Sequence, residues 1–421
     1  NLVSAIGIDA GTLNLTTMNG EAAISATASG NTFQLSVGAS KETPSFSCTG
    51  NEISAIALRA GTMNVENFLG SLNVTADNNI LDFNFSWKST SGRVMFRADG
   101  INVSGELNSA ASMYGTITVS SVGNQGDRGF TNQNGTFILT HGIVASTFSV
   151  TGLLQTDINV TTKNNYFDTN SVFGVKVDTL RASSYSGTIT IQDQYSSSTT
   201  RIFGIYTQNG LRTDVTNDAF DFSGTISVSG NGSRFGIYSQ AALNLRVAGS
   251  IKANTAIQTE GTYNEETGVF SYSSNVSPNH KDQVELASTA VINGNIDLGG
   301  DENSILINSG AKMTGNLLAT EGKLNIEFVL DDTYVGGAIV TTRDLNDISL
   351  TSAGTLTVNL NNAVSGQAYT LFKYNGDASS YWNSKSVTLV YQGATKTIAL
   401  QNGKIADGDR QFNGATLDIW Y

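Results

Sequence analysis

This 421-residue chain has few of the residues that cross-link, interrupt or charge a protein. It contains one cysteine, Cys48, so no disulfide can form within the chain. It has only two prolines, Pro44 and Pro278, which suits strands paired along both edges, because proline has no N–H to donate to a β-ladder. Charged residues make up 14%, well below the roughly 25% usual for soluble domains. Serine, threonine, asparagine and 44 glycines take their place, as in turns and strand ladders.

The charge and hydropathy of the chain exclude several classes of partner. The formal net charge is −12, and lysine and arginine occur without a basic run. Nucleic-acid binding needs a basic stripe, so we expect no nucleic acid partner. No run of about 18 apolar residues is present, so no helix is expected to span a bilayer. The sequence begins at Asn1 in the middle of its repeat pattern, so we expect it to be a mature fragment from which a leader has been trimmed.

What the chain has in abundance is a repeated pattern. Residues 5–15 read AIGIDAGTLNL and residues 55–65 read AIALRAGTMNV. A second signature follows each copy, consisting of a small residue, a glycine and an alternating triplet. Its glycines are Gly70, Gly115, Gly187, Gly224, Gly249, Gly294 and Gly315. Self-similarity of this kind indicates a solenoid, here built from short strands.

The repeat length predicts a right-handed parallel β-helix. A unit of about 20 to 25 residues suffices for one coil of three short strands. Longer intervals, such as 187 to 224, fit one coil with a loop or two coils. Coils stacked about 4.8 Å apart would align their apolar side chains into columns. The predicted columns are Ile8 with Leu58, Leu13 with Met63, Ile24 with Leu72, Val175 with Ile205 and Ile237, Leu180 with Leu211 and Leu243, and Ile189 with Ile226 and Ile251. We therefore predict an all-β fold with very little helix.

The pattern divides the chain into two domains. Residues 1–345 are the predicted β-helix, with protruding polar loops at about 38–50, 120–136 and 262–283. Past residue 345 the strands lengthen and aromatic residues concentrate, and Gln401-Asn402-Gly403 is a hairpin signal. Because an uncovered last coil would template aggregation, we interpret residues 346–421 as an antiparallel C-terminal cap.

Residues 292–315, which read INGNIDLGGDENSILINSGAKMTG, resemble the coils of bacterial autotransporter passenger domains. Residues 354–358 and 369–372 resemble the C-terminal cap, or autochaperone region, of that family. The resemblance implies a secreted or cell-surface protein, associated with virulence, exported through an outer-membrane β-barrel C-terminal to this chain. The chain departs from the family in having no barrel of its own.

Carboxylate clusters are the first candidates for chemistry, because pectin-degrading enzymes also use β-helices. Asp214, Asp218 and Asp221 fall in a predicted loop, where acids stay hydrated. Asp331 and Asp332 are adjacent, and on a strand they would point to opposite faces, whereas a glycosidase needs two carboxylates across one groove. Neither of the two histidines, His141 and His280, lies in the sequence context of such a site.

A calcium turn, a reactive cysteine, a carbohydrate-binding surface and glycosylation sites are the remaining candidates. The turn at residues 299–303, GGDEN, is superficially similar to a calcium turn, but the nonapeptide repeat that supplies the ligands is absent, so an ordinary turn is favoured. Cys48 is expected near a strand end rather than as a nucleophile. Tyr206 and Tyr238 occupy matched repeat positions and form either a stacking ladder, which we favour, or a carbohydrate-binding row. Asn-x-Ser/Thr triplets are numerous and are explained by composition or by glycosylation; they include those at Asn14, Asn73, Asn84, Asn102, Asn134 and Asn159.

The sequence as a whole favours adhesion or self-association through extended faces and loops. We predict no enzymatic activity, catalytic residue, metal or cofactor. The expected partner is a host-cell or matrix glycan or protein, or a second copy of the chain. A polysaccharide lyase or hydrolase on the same scaffold is the first alternative, and a structural stalk the second. A cleft lined by paired acids with a basic partner would favour the enzyme.

Overall fold

The computed structural model describes most of the chain. The residues that it describes are 2–18, 23–37, 47–85, 91–126, 136–165, 169–194, 200–213, 218–264, 269–271, 281–319, 321–342, 348, 354–374, 385–401, 404–406, 409–412 and 414–420. Within these ranges the protein is all-β, with no α-helix, as predicted. A helix of the length and hydropathy needed to cross a membrane is accordingly not found in them.

Thirty-seven strands account for the described secondary structure. The strands of the first third are β1 (Leu2–Met18), β2 (Ala23–Ser29), β3 (Thr32–Val37), β4 (Ser47–Phe68), β5 (Ser71–Asp77), β6 (Ile80–Phe85), β7 (Ser91–Val103), β8 (Glu106–Ser109), β9 (Thr116–Val122), β10 (Gln125–Gly126), β11 (Thr136–Val150) and β12 (Asp157–Lys163). The middle strands are β13 (Thr169–Ala182), β14 (Ser184–Tyr185), β15 (Thr188–Gln194), β16 (Arg201–Thr207), β17 (Leu211–Arg212), β18 (Phe220–Phe222), β19 (Thr225–Ser229), β20 (Ser233–Ser239), β21 (Asn244–Val247), β22 (Ser250–Thr259), β23 (Thr262–Asn264) and β24 (Val269–Ser271). The last are β25 (Gln283–Leu286), β26 (Val291–Asp297), β27 (Gly300–Asn308), β28 (Lys312–Thr314), β29 (Leu317–Leu318), β30 (Glu321–Val329), β31 (Ala338–Thr342), β32 (Leu356–Asn359), β33 (Ala368–Tyr374), β34 (Ser386–Tyr391), β35 (Ala394–Ala399), β36 (Gln411–Phe412) and β37 (Ala415–Trp420).

The strands pair in parallel with strands one repeat further along the chain. Two large sheets of 23 and nine strands hold nearly all of them. The interval between paired residues is long at first, with Asp9 bonded to Arg59 across 50 positions, and shortens to 21 between Asn295 and Asn316. Strands β15 and β19 pair directly, so the interval from 187 to 224 is one repeat with an insertion rather than two.

Equivalent apolar residues of successive repeats lie opposite each other, as the sequence predicts. One continuous column runs through Ile8, Leu58, Ile101, Ile143, Val175, Ile205, Ile237, Ile257, Ile296, Leu317 and Ile348. A second runs through Leu13, Met63, Leu107, Phe148, Leu180 and Leu211. A third runs through Ile24, Leu72, Ile117, Ile158, Ile189, Ile226, Ile251, Ile292, Met313, Val340 and Phe372. Together with Leu243 they belong to one hydrophobic core that reaches Ile419.

A buried row of asparagines fixes one corner of the repeats. The backbone N–H and side-chain amide of Asn79 both donate to Oδ1 of Asn124. The same two groups of Asn124 donate to Oδ1 of Asn165. A residue with positive φ precedes each of these asparagines, namely Asn78 (φ 55°), Gly123 (φ 68°) and Asn164 (φ 52°) in turn. Their side-chain amides donate to backbone carbonyls of the preceding repeat, so these buried carbonyls are hydrogen-bonded within the protein.

The predicted C-terminal cap is only partly antiparallel. Parallel pairing continues past residue 345, since β32 pairs with β30 and β33 pairs with β31. Antiparallel pairing joins β34 to β35 and β36 to β37. The β34–β35 turn has positive φ at Gln392 (50°) and Gly393 (75°), the geometry of a two-residue hairpin. The other hairpin signal, at Gln401, is consistent with a bridge to Lys404, but Asn402 and Gly403 lie outside the described residues.

The three predicted loops contain more strand than the sequence suggests. Residues 38–46 and 127–135 lie outside the described residues, but β4 begins at Ser47, and β9 and β10 occupy part of 120–136. In 262–283, β23 and β24 form an antiparallel hairpin, with 265–268 and 272–280 outside the described residues. Tyr263 of this hairpin is buried against the large sheet, so this part of the predicted excursion folds back instead of protruding.

Candidate functional site

A polar groove crosses five neighbouring parallel strands, β21, β25, β27, β30 and β32. Alternation along each strand turns its apolar residues inward, as with Val284, Ile305 and Ile326, which are buried. The residues on either side of them face outward and align in two rows. One row is Asn244, Gln283, Ser304, Asn325 and Thr355, and the other is Arg246, Glu285, Leu306, Glu327 and Thr357.

The groove is within the size range of small-molecule binding sites. Its volume is about 380 Å³. Most outward lining groups are side-chain amides or hydroxyls, with Leu306 as an apolar patch between the two glutamates. Amides and hydroxyls both donate and accept hydrogen bonds, which is the chemistry that recognises an uncharged hydroxylated ligand.

Arg246 and Glu285 of the second row form an ion-pair network with Asp221. Nη1 of Arg246 lies 3.0 Å from Oδ1 of Asp221, and its Nε lies 3.4 Å from Oε1 of Glu285. The amide of Asn308 donates to the same Glu285 oxygen at 3.2 Å. The side chains of Arg246 and Asp221 are each 40% exposed, so this network contributes little to folding stability and leaves its atoms within reach of a ligand.

Glu327 repeats this arrangement without the cation. It lies two strands from Glu285, about 10 Å away at the usual strand spacing. The amide of Asn359 donates to its Oε1 at 3.5 Å, and among the described residues no lysine or arginine pairs with it. Within the described part of the chain, the groove therefore holds one carboxylate with a cationic partner, Glu285, and one without, Glu327.

Asp218 is exposed and outside any strand, as predicted, whereas Asp221, Asp331 and Asp332 lie elsewhere than predicted. Asp214 is outside the described residues, Asp218 is exposed, and Asp221 is on strand β18 in the ion pair with Arg246 rather than in a loop. Asp331 and Asp332 follow β30 in a turn, not on a strand. The pKa of Asp331 is lowered because hydrogen bonds from Ser309 and Thr333 outweigh the cost of its partial burial.

Residues 299–303 do not form the turn that the sequence favours, because strand β27 begins at Gly300. The segment is held by protein groups. The N–H of Gly300 donates to Oε2 of Glu260 at 2.7 Å, and the amide of Asn303 donates to the carbonyl of Gly300 at 2.7 Å. Asn303 Oδ1 accepts the N–H of Asp282. Across the described ranges no three His, Cys, Asp or Glu side chains come together as metal ligands would.

Tyr206 and Tyr238 form the stacking ladder that the sequence favours. Their rings lie 5.4 Å apart and 7° from parallel. Because they are only 2% and 0% exposed, the alternative of a carbohydrate-binding row is wrong. They belong to a second hydrophobic cluster with Tyr263 and three stacked phenylalanines, Phe173, Phe203 and Phe235.

His141 has a partner that its sequence context does not reveal. It is buried on β11 beside Asp99 of β7, 42 positions earlier. Its ring stacks on Phe173, so it extends the row of aromatic rings. His280 lies outside the described residues, and Cys48 lies near the start of β4, as expected, opposite Gly92.

The triplet asparagines occupy different surroundings. Asn14 and Asn73 are exposed, and Asn102 and Asn159 are half-buried, while the side chain of Asn84 and all of Asn134 lie outside what is described. Oδ1 of Asn14 accepts the amide of Asn64, which explains its residue type through strand pairing. Glycosylation of these positions stays a prediction.

Comparison with known proteins gives no relative. The chain matches no protein-family model, no curated protein sequence and no solved structure. Function must therefore be argued from the residues of the groove itself.

Proposed function

We propose that the chain is a right-handed parallel β-helix that acts outside the cell as an adhesion protein and binds a polysaccharide chain along the groove. The continuous columns of paired apolar residues support the solenoid, since separate compact units would break them. The surface location rests on the resemblance of residues 292–315 to autotransporter passengers, as does a membrane barrel C-terminal to this chain.

The groove carries the proposal of glycan binding. Its two outward rows cross five strands at a repeat of about 4.8 Å, so equivalent hydrogen-bonding groups recur along it. A polysaccharide likewise presents the same hydroxyls at regular intervals. Leu306 offers an apolar surface for the C–H face of a sugar ring, and Ser304 and Asn325 flank it with hydroxyl and amide groups.

Polysaccharide hydrolysis is the second candidate. Glu285 and Glu327 line one groove with Arg246 beside them, which is the pattern of paired acids with a basic partner. Their separation of about 10 Å is near the upper limit for an inverting glycosidase. Binding is favoured over cleavage because neither glutamate is buried, whereas the catalytic acid of a glycosidase is enclosed in an apolar pocket.

Filling the groove tests the proposal. Ser304→Tyr places a large ring at an outward strand position in its centre and should lower affinity for bound glycans at least about tenfold. Ser227→Tyr is the matched control, since Ser227 is an outward strand residue on β19 of the other large sheet. A glycan array identifies ligands, and a reducing-end assay on them detects cleavage. Equal binding by both variants, or no binding by the unmodified chain, would refute the glycan site.

A further inference from the structure

Glu327 has no lysine or arginine partner among the described residues. Its neighbours in the same row are Leu306 on one side and Thr357 on the other, neither of which is charged. By contrast, Glu285 is paired with Arg246. The guanidinium of Arg246 is itself shared with Asp221, so it is already engaged by two carboxylates.

This charge arrangement selects among glycans. An acidic polysaccharide needs a lysine or arginine that is available for its carboxylates or sulfates, and the arginine beside the groove, Arg246, is already paired with Asp221 and Glu285. A neutral glycan would use the amide and hydroxyl row and leave Glu327 with water and the Asn359 amide. A protonated amine, with three N–H donors, would pair with Glu327 and use the same row for its hydroxyls.

We propose that the groove prefers a polysaccharide of amino sugars with free, protonated amino groups, such as de-N-acetylated glucosamine polymers. The proposal rests on the proposed glycan-binding function and names its ligand class. Glu327 pairs with an ammonium group of the chain, while Ser304 and Asn325 bind neighbouring hydroxyls. The net charge of −12 also draws a polycation to the surface and speeds encounter at low ionic strength.

The preference is measured with three hexamers in parallel titrations at mildly acidic pH and low salt: glucosamine, N-acetylglucosamine and glucose. The glucosamine hexamer should bind most tightly. Glu327→Gln should reduce that advantage over the N-acetyl hexamer about two- to fivefold, the range of an exposed ion pair, and leave affinity for the N-acetyl hexamer unchanged. Added salt should weaken glucosamine binding more in the unmodified chain than in this variant.

Glu106→Gln supplies the matched control. Glu106 is an exposed strand carboxylate that accepts an asparagine amide, from Asn108 at 3.3 Å, as Glu327 does from Asn359, but it lies far along the chain on β8. The preference should survive this change. Equal affinity for the amine and N-acetyl forms, or a preference of unchanged size in Glu327→Gln, would overturn the amino-sugar inference while leaving glycan binding intact. Failure of all three hexamers and of the glycan array to bind would overturn both.

Discussion

Nδ1 of His141 lies 2.6 Å from Oδ1 of Asp99, its direct neighbour on the adjoining parallel strand. Both side chains are almost fully buried, and the amide of Asn102 donates to the other Asp99 oxygen at 2.6 Å. Burial by itself raises the pKa of Asp99, but His141, Arg97 and Asn102 outweigh it, so the pKa lies below its usual value. Asp99 is thus a buried carboxylate that contacts His141 and Asn102 beside an aromatic row.

Asp99→Asn should destabilise the protein at neutral pH. The substitution keeps the shape of the side chain but removes the negative charge that faces His141 and Arg97, and breaking a buried pair costs about 3–5 kcal/mol. Urea unfolding followed by circular dichroism measures the change. Asp9→Asn is the control: Asp9 forms an ion pair with Arg59 at the surface, and its loss should leave the midpoint unchanged. Equal effects of the two changes would contradict this account.

The same aspartate predicts the response to acid. Its pKa is lower in the folded than in the unfolded chain, so the unfolded chain binds more protons as pH falls. The stabilisation is complete above the unfolded pKa, near 3.8, and disappears as pH drops through the lower folded value. Unfolding of the unmodified chain and Asp99→Asn should therefore be compared between neutral pH and about pH 3. The variant should lose less stability over that interval, and parallel curves would show that Asp99 does not contribute.

The sequence predicts the apolar columns well because their signal is local. Ile8, Leu13 and Ile24 alternate with polar residues, and the same spacing recurs around Leu58 and Leu72, so alignment alone pairs them. The boundary between strand and loop is less well predicted at the insertions. Residues 120–122 are polar enough to suggest a loop, yet they continue β9 because their backbone pairs on both sides.

The groove and the His141 pair could not be read from sequence for a related reason. Each depends on which residues of distant repeats lie opposite each other. Because the repeats differ in length, this pairing register cannot be deduced from sequence spacing. Ser304 meets Gln283 on one side and Asn325 on the other, a relationship no local motif encodes. The asparagine row did leave a signal, a glycine or asparagine before Asn79, Asn124 and Asn165, but in an asparagine-rich chain it does not stand out.

Asn124→Ala tests the buried asparagine row. The change removes the Asn124 side chain that binds the buried N–H of Asn79 and the carbonyl of Ala76. The loss of these hydrogen bonds should lower the unfolding free energy by about 2–4 kcal/mol. Asn64→Ala is the matched control, because Asn64 also belongs to an asparagine row, with Asn14 and Asn108, but an exposed one. It should change stability by less than about 0.5 kcal/mol. Similar losses from both rows would show that burial does not set the energy.

Tyr263 packs the β23–β24 hairpin against the aromatic cluster. Its hydroxyl lies 2.7 Å from Oγ of Ser171, and its ring centre lies 5.0 Å from that of Phe203. Tyr263→Ala should uncover this ring and cost about 3–5 kcal/mol, with new binding of a hydrophobic dye. Tyr263→Phe keeps the ring and should cost only about 1 kcal/mol. If the alanine variant is as stable as the phenylalanine variant and binds no dye, the hairpin does not cover the cluster.

Gly142 lies where paired strands approach too closely for any side chain. A Cβ at this position would come within 2.5 Å of the carbonyl oxygen of Gly174 and would also strike Cγ2 of Ile158. Both obstacles belong to the paired strand and the packed core, so neither can move away cheaply. Gly142→Ala should therefore lower the unfolding free energy by about 1–3 kcal/mol, measured by urea titration. Gly11→Ala is the control, because nothing lies within 4 Å of the Cβ it would add, and it should leave the midpoint unchanged. A tolerated Gly142→Ala would mean that the strands are not stacked as tightly as their register indicates, and would weaken the solenoid proposal with it.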